Sequence, residues 1–162
     1  MVKRSAGLLM YRERGGAIEV LLVHPGGPFW AKKDEGAWSI PKGEYSAEEE
    51  PLEAAKREFK EETGLNAEGD FKPLKPVIQP SGKEVTAWAF EGDCDPAECK
   101  SNTFSMEWPP HSGRQQEFPE ADLAGWFTLE EAKKKILKGQ IPLLEELEQQ
   151  ILTTKTQSHE VK

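Results

Sequence analysis

Three glutamates, Glu58, Glu61 and Glu62, stand at i, i+3 and i+4 within GEYSAEEEPLEAAKREFKEETGL, residues 43–65. On a helix, at about 100° per residue, they share one arc of roughly 100°. Leu52, Ala55 and Phe59 form an apolar stripe beside that arc. Like charges one turn apart repel by a few tenths of a kcal/mol, so something positive should offset them. Lys56, Arg57 and Lys60 lie on the same segment, but a hard divalent cation with oxygen ligands would do it better. A solvated acidic face is the bland alternative. The surroundings weigh against it, because the segment is entered from a Pro-Lys-Gly turn and left through a glycine. That holds the carboxylates at the rim of the structure.

The elements that must position this cluster are legible on either side. Pro51 suits the first position of a helix, where a missing N–H costs nothing. Gly64 suits a left-handed cap, so the helix is expected over 51–63. Ser46 to Glu49 also fits a capping box, but Pro51 would then fall inside the first turns, which favours the later start. Upstream, Ser5 to Arg12 and Ala17 to Val23 read as two strands joined through Gly15–Gly16. A loop from His24 to Gly36 follows, then a short extended piece, Ala37 to Ile40, ended by Pro41. Downstream, strands are expected at 71–78, 84–91 and 124–128. Thr128, with Glu131 in the capping-box position, should open a helix running to Leu137, followed by another over 141–152. Asn102 to Arg114, with Pro109–Pro110, reads as irregular. These elements make one domain, residues 1–152, and 153–162 is expected to be a disordered tail.

Composition narrows the partners. Of 162 residues, 21 are Lys or Arg and 29 are Asp or Glu, a net charge of −8. No general positive field is available to release counterions from nucleic acid. No apolar run approaches a membrane span. The start MVKRSAGLLMYRERGG is a poor signal peptide, so a cytoplasmic protein is expected. Cys94 and Cys99 lack nearby His and read as free thiols rather than a zinc site.

The segment resembles the box of the Nudix hydrolases: Gly, five residues, Glu, seven residues, Arg-Glu-apolar-x-Glu-Glu-x-Gly-apolar. Here it runs Gly43, Glu49, Arg57, Glu58, Phe59, Glu61, Glu62, Gly64 and Leu65 with every spacing intact. At about 7% per position, the polar and glycine positions would coincide by chance on the order of once in 10⁸ frames. The likeness extends loosely upstream to Trp38–Gly43 and downstream to a Glu-containing loop before Trp126. It implies an α/β/α sandwich around a mixed β-sheet, and hydrolysis of nucleoside diphosphates linked to another group with Mg²⁺ or Mn²⁺. Carried over, Glu58, Glu61 and Glu62 are metal ligands, or for one of them the base. The Gly43 carbonyl completes the shell, and Arg57 pairs with Glu49. Clustered carboxylates with metal ions suit the reaction, which requires anionic oxygens to be neutralised and a water positioned.

Other candidates carry weaker signals. Many family members add a Glu from the loop before the last strand, and Glu120, six residues before Trp126, fits that better than Glu117. Lys42, within the Pro-Lys-Gly turn, could meet a phosphate as a point charge. Arg114 is a further phosphate candidate. Trp30 and Trp108, in irregular loops, offer faces on which a base could stack, whereas Trp38 and Trp88 lie on strand patterns and read as core. His24 and His111 have no partner motif and read as structural or surface residues.

The resulting expectation is a metal-dependent pyrophosphohydrolase acting on a small-molecule nucleotide, with the turn at Trp38–Gly43 resembling members that cleave diadenosine polyphosphates or nucleoside triphosphates. Pro80, sixteen residues after Gly64, matches a spacing associated with ADP-ribose hydrolases, although VIQPSGKEV does not otherwise resemble theirs. A non-catalytic nucleotide-sensing domain is the alternative. It would usually lack box carboxylates that are present here. An isomerase of prenyl diphosphates would need a catalytic Cys in a strand context, which CDPAEC does not supply.

Overall fold

Two strands that start as a hairpin and then part company create the space for the acidic segment. The computed structural model describes residues 3–160, with side chains through 154. Strands β1 (Arg4–Arg14) and β2 (Ala17–Pro25) pair antiparallel next to their turn, from Tyr11↔Val20 to Arg14↔Ala17. Farther from the turn they splay, and residues 37–44 thread between them. Ser39 exchanges both backbone hydrogen bonds with Val23. The short strand β3 (Lys42–Glu44) pairs with β1 at Gly7↔Lys42 and Ala6↔Gly43. The expected Pro-Lys-Gly turn is therefore a strand, because the open edge of β1 offers its backbone groups partners.

The other edge of β1 runs parallel to β6 (Glu84–Glu91), and β2 pairs antiparallel with β9 (Ala121–Thr128). Between α1 and β6 lie β4 (Lys72–Pro73) and β5 (Val77–Ile78), both paired with β6. The single strand expected over 71–78 is thus two fragments, since Pro73 and Pro76 have no N–H for a continuous ladder. The whole is a mixed seven-stranded sheet.

Side-chain alternation divides the core in two. Ala6, Leu8, Met10 and Leu21 meet Ala54, Ala55 and Phe59 of helix α1 (Pro51–Thr63) on one face. Leu9, Val20, Leu22, Val85 and Ala87 meet Ala132, Leu143, Leu144 and Leu147 on the other. The last four belong to α2 (Leu129–Lys135) and α3 (Ile141–Glu160). This is the expected α/β/α sandwich. Helix α1 has the expected bounds, and Gly64 caps it at φ 79°. Thr128 and Glu131 form the expected capping box of α2, which ends at Lys135 rather than Leu137. Helix α3 continues to Glu160, so residues 153–160 carry on the helix where a disordered tail was expected, and 161–162 lie outside the described residues. Among the described residues no helix is long and apolar enough to cross a membrane.

The largest departure is at 102–119. Instead of an irregular stretch, β7 (Thr103–Glu107) and β8 (Gln115–Pro119) form a separate two-stranded ribbon. Phe104 and Phe118 face each other across it. The Glu107 carboxylate accepts from the amides of His111 and Gly113, closing the turn. The alternation Phe104, Ser105, Met106 carries the strand signal, whereas the two prolines confine themselves to the turn.

Candidate active site

The acidic helix, the threaded segment and the ribbon converge at one end of the sheet. Phe59 is 1% exposed and anchors α1 against β1 and β6. Its neighbour Glu58 is thereby drawn in to 8% exposure. Gly43, on β3, lies so close to Glu58 that an added Cβ would fall 2.0–2.2 Å from the carboxylate atoms. Only glycine lets that backbone and that carboxylate meet. Glu62, one turn further on, accepts from the Lys42 N–H at 3.2 Å. The alternating register of β3 thus sets both carboxylates against one short strand.

Arg57 organises the outer side. Its Nε and Nη2 donate to the two oxygens of Glu49 at 2.9 and 3.2 Å, a two-point clamp on the loop preceding α1. Its Nη1 donates to Glu58 and to Glu61, each at 3.1 Å. The carboxylates hold the guanidinium pKa above its usual value, Glu49 most strongly. Among the described residues no three acidic, His or Cys side chains are gathered as ligands of one ion. Arg57 draws Glu58 and Glu61 towards itself, while Glu62 turns to the Lys42 amide.

The electrostatics nevertheless suit a cation. Burial, then the neighbouring Glu61, pushes the Glu58 carboxyl up to about 7. Burial pushes Glu62 up to about 8 against the opposing pull of the Lys42 N–H and ammonium. Glu120 is also raised, by burial and then by Glu61. Lys42 is lowered, chiefly by burial and then by Lys83. Several hard oxygen donors are thus held where negative charge is costly, which is the donor chemistry of a divalent-cation site.

The loop acid reaches the site through the backbone. The Asn102 N–H donates to the Glu61 carbonyl at 2.7 Å, and the Glu120 N–H to the Asn102 carbonyl at 2.8 Å. The Gly26 N–H in turn donates to the Glu120 carbonyl at 3.0 Å. Glu120, Glu62, Lys42 and Trp30 line a cavity of about 190 Å³ floored by Val23, Ser39 and Leu137. Glu62 also borders a second cavity of about 220 Å³, beside Cys99, Ser101 and Leu123.

The structure therefore brings together Gly43, Arg57, Glu58, Glu61, Glu62, Lys42, Glu120 and Trp30. It does not bring in Arg114 or Trp108. Arg114 is exposed in the ribbon's turn, its carbonyl accepting from the Trp108 N–H. Trp108 packs edge-on against Phe29 at 5.5 Å, and neither lines the cavity. Both lie at the turn of the ribbon, Trp108 after β7 and Arg114 before β8. Glu117 is exposed on β8. Trp38 is buried as expected, Trp88 is half-buried against the α1 face, and both cysteines are free. Burial pushes the Cys94 thiol up to about 12.

Sequence reasoning missed the setting of His24. It is 4% exposed, with Nδ1 2.8 Å from Asp122 Oδ1 and Nε2 2.5 Å from the Lys33 carbonyl oxygen. Ninety-eight residues separate His24 from Asp122, and only the β2–β9 pairing brings them together.

The NUDIX domain family model matches residues 1–147. The chain belongs to that family. A curated relative, the asymmetrical bis(5'-nucleosyl)-tetraphosphatase of Caenorhabditis elegans, is 38% identical over 68 residues, 42% of this chain and 45% of that protein. The match thus spans less than half of the relative's length. Among solved structures, the C. elegans Ap4A hydrolase binary complex has a TM-score of 0.64 at 24% identity, covering 94% of this NUDIX chain and 99% of that one. The NUDIX domain of Shewanella oneidensis NrtR, complexed with ADP ribose, has a TM-score of 0.65 at 14% identity, covering 93% and 89%. At these identities the likeness to solved structures establishes the fold.

Proposed function

We propose that this NUDIX chain is a metal-dependent hydrolase that cleaves a phosphoanhydride bond of a nucleoside polyphosphate, with dinucleoside tetraphosphates the first substrates to test. The observation that carries the reading is the buried pair Glu58 and Glu62, set against β3 with their carboxyls raised to about 7 and about 8. Supporting it is the partial match to a bis(5'-nucleosyl)-tetraphosphatase. Glu58, Glu61 and Glu62, with the Gly43 carbonyl, would hold Mg²⁺, or Mn²⁺ in its place. Such an ion, when bound, neutralises phosphoryl oxygens and polarises water.

The remaining roles belong to the chain. Glu120, facing Glu62 across the cavity, takes the proton as water oxygen bonds to phosphorus and the anhydride P–O bond breaks. Lys42 meets a phosphate oxygen as a point charge. Arg57, clamped on Glu49, keeps the loop before α1 and the carboxylates in place. Trp30 offers a face to a base. A cytoplasmic setting belongs to the same proposal. The test is a panel of mononucleotides and dinucleoside polyphosphates incubated with Mg²⁺, with products separated by chromatography. No hydrolysis of any phosphoanhydride would overturn the reading.

A further inference from the structure

We infer that His24 is a positioning residue, held as an imidazolium, that ties the Trp30 loop to β9. Both oxygens facing the ring are acceptors: a backbone carbonyl only accepts, and so does an ionised carboxylate. A neutral imidazole has one N–H and one lone pair. In either tautomer it would aim a lone pair at an oxygen, either 2.8 Å away at Asp122 or 2.5 Å away at Lys33. Only the doubly protonated ring donates to both. A ring 4% exposed has little water to substitute for a missing donor.

The charges around it are consistent with a cation. Asp122 faces it from β9, and Asp34 lies near it in the loop. Asp34 is itself held by the Trp38 Nε1–H at 2.8 Å and by the Lys135 ammonium from α2. The edge of Trp38 packs on the ring at 5.3 Å. The Lys33 ammonium points elsewhere, over the Trp30 ring at 5.1 Å.

What the bridge secures is the wall of the cavity. From Lys33 the backbone returns through Lys33 N–H to the Trp30 carbonyl at 3.0 Å, and Trp30 N–H to the Gly27 carbonyl at 3.3 Å. Trp30 lines the cavity with Lys42, Glu62 and Glu120. Fixing the Lys33 carbonyl therefore fixes Trp30. That Trp30 touches substrate rests on the proposed function; the charge on His24 and its hold on the loop do not.

The test uses the full chain labelled with ¹⁵N. A long-range ¹H–¹⁵N spectrum at pH 7 should show both His24 ring nitrogens protonated, with the signal assigned by its loss in His24→Gln. A neutral tautomer at that pH overturns the inference. In His24→Gln and Asp122→Asn the amides of Trp30 and Lys33 should exchange about tenfold faster or more, as for a locally opened segment. Unchanged exchange in both variants overturns the positioning role, and Asp122→Asn carries the test if His24→Gln fails to fold. With a dinucleoside tetraphosphate and Mg²⁺, KM should rise about tenfold with kcat within about twofold, the scale of losing one charge-assisted hydrogen bond. A fall in kcat with KM unchanged counts against it. If wild type cleaves neither that probe nor any other member of the panel, the proposed function fails, while the spectrum and the exchange rates still decide the role of His24.

Discussion

Replacing Glu62 by Gln should stabilise the metal-free protein at alkaline pH and not at acid pH. The wild-type carboxyl is carried from 4.5 to about 8, mainly by burial. Below pH 4.5 it is protonated in the folded and unfolded chains alike and has no effect. Between there and about 8 the unfolded chain releases a proton that the folded chain keeps, so stability falls as pH rises, by up to about 1.4 kcal/mol per pH unit. Summed over that interval the ceiling is about 5 kcal/mol. Glu62 borders two cavities and is not fully enclosed, so about 2–3 kcal/mol is the working figure. Gln stays neutral and can still accept from the Lys42 N–H. At roughly 2–4 °C per kcal/mol for a domain of this size, melting in EDTA at pH 8.5 should occur about 5–10 °C higher in Glu62→Gln than in wild type. The difference should vanish towards pH 4.5. Saturating Mg²⁺ should close that gap, raising wild type by about 2.7 kcal/mol at a hundred times Kd, and NaCl of equal ionic strength should not. Calorimetry or dye-monitored melting across pH 4.5–8.5 decides it. Equal melting temperatures at pH 8.5, or a gap independent of pH, would refute the reasoning.

Gly43→Ala should leave the protein folded but lower kcat by about 10²-fold or more, because its Cβ would displace the Glu58 carboxylate; steady-state rates at saturating Mg²⁺ beside a circular dichroism spectrum check this. Glu61→Gln and Glu120→Gln should each cost about 10²-fold or more in kcat, the usual scale for a charge-stabilising group or a general base, and wild-type turnover in either removes its assignment. Phe59→Ala, deleting the 1%-exposed ring that seats α1, should cost about 3–5 kcal/mol in urea unfolding. Thr128→Ala should cost about 1 kcal/mol by removing the cap that accepts from the Glu131 N–H, with kinetics unchanged.

Several features were legible because local physics decides them. Pro51 and Gly64 bound α1 through missing donors and a left-handed backbone. The 3.6-residue period set Phe59 inward and Glu58, Glu61 and Glu62 beside it. Thr128 and Glu131 announced the start of α2. The box spacing named the acidic residues, and the clamp of Arg57 on Glu49 stands as expected. In the ribbon Phe104 and Met106 alternate as strand residues should, while Pro109 and Pro110 interrupt only the turn and leave the residues on both sides free to pair.

Other features depend on chain separation. Whether 41–44 is a turn or a strand depends on whether β1 and β2 stay paired, and only their divergence leaves β1 an edge for β3. The approach of Gly43 to Glu58 follows from that edge. So does the burial that raises Glu58 and Glu62, since desolvation is a property of what surrounds a carboxylate and not of its neighbours in sequence. That Arg114 and Trp108 do not line the cavity follows from their place at the ribbon's turn. His24 is the clearest case: nothing within its own stretch supplies Asp122, which stands unpaired on β9 where the β2–β9 register shifts between His24 and Pro25. Residue types and short spacings determined which groups are available for the chemistry. The tertiary structure decided which of them lose water together, because hydrogen-bond registers and packing between distant segments fix those encounters.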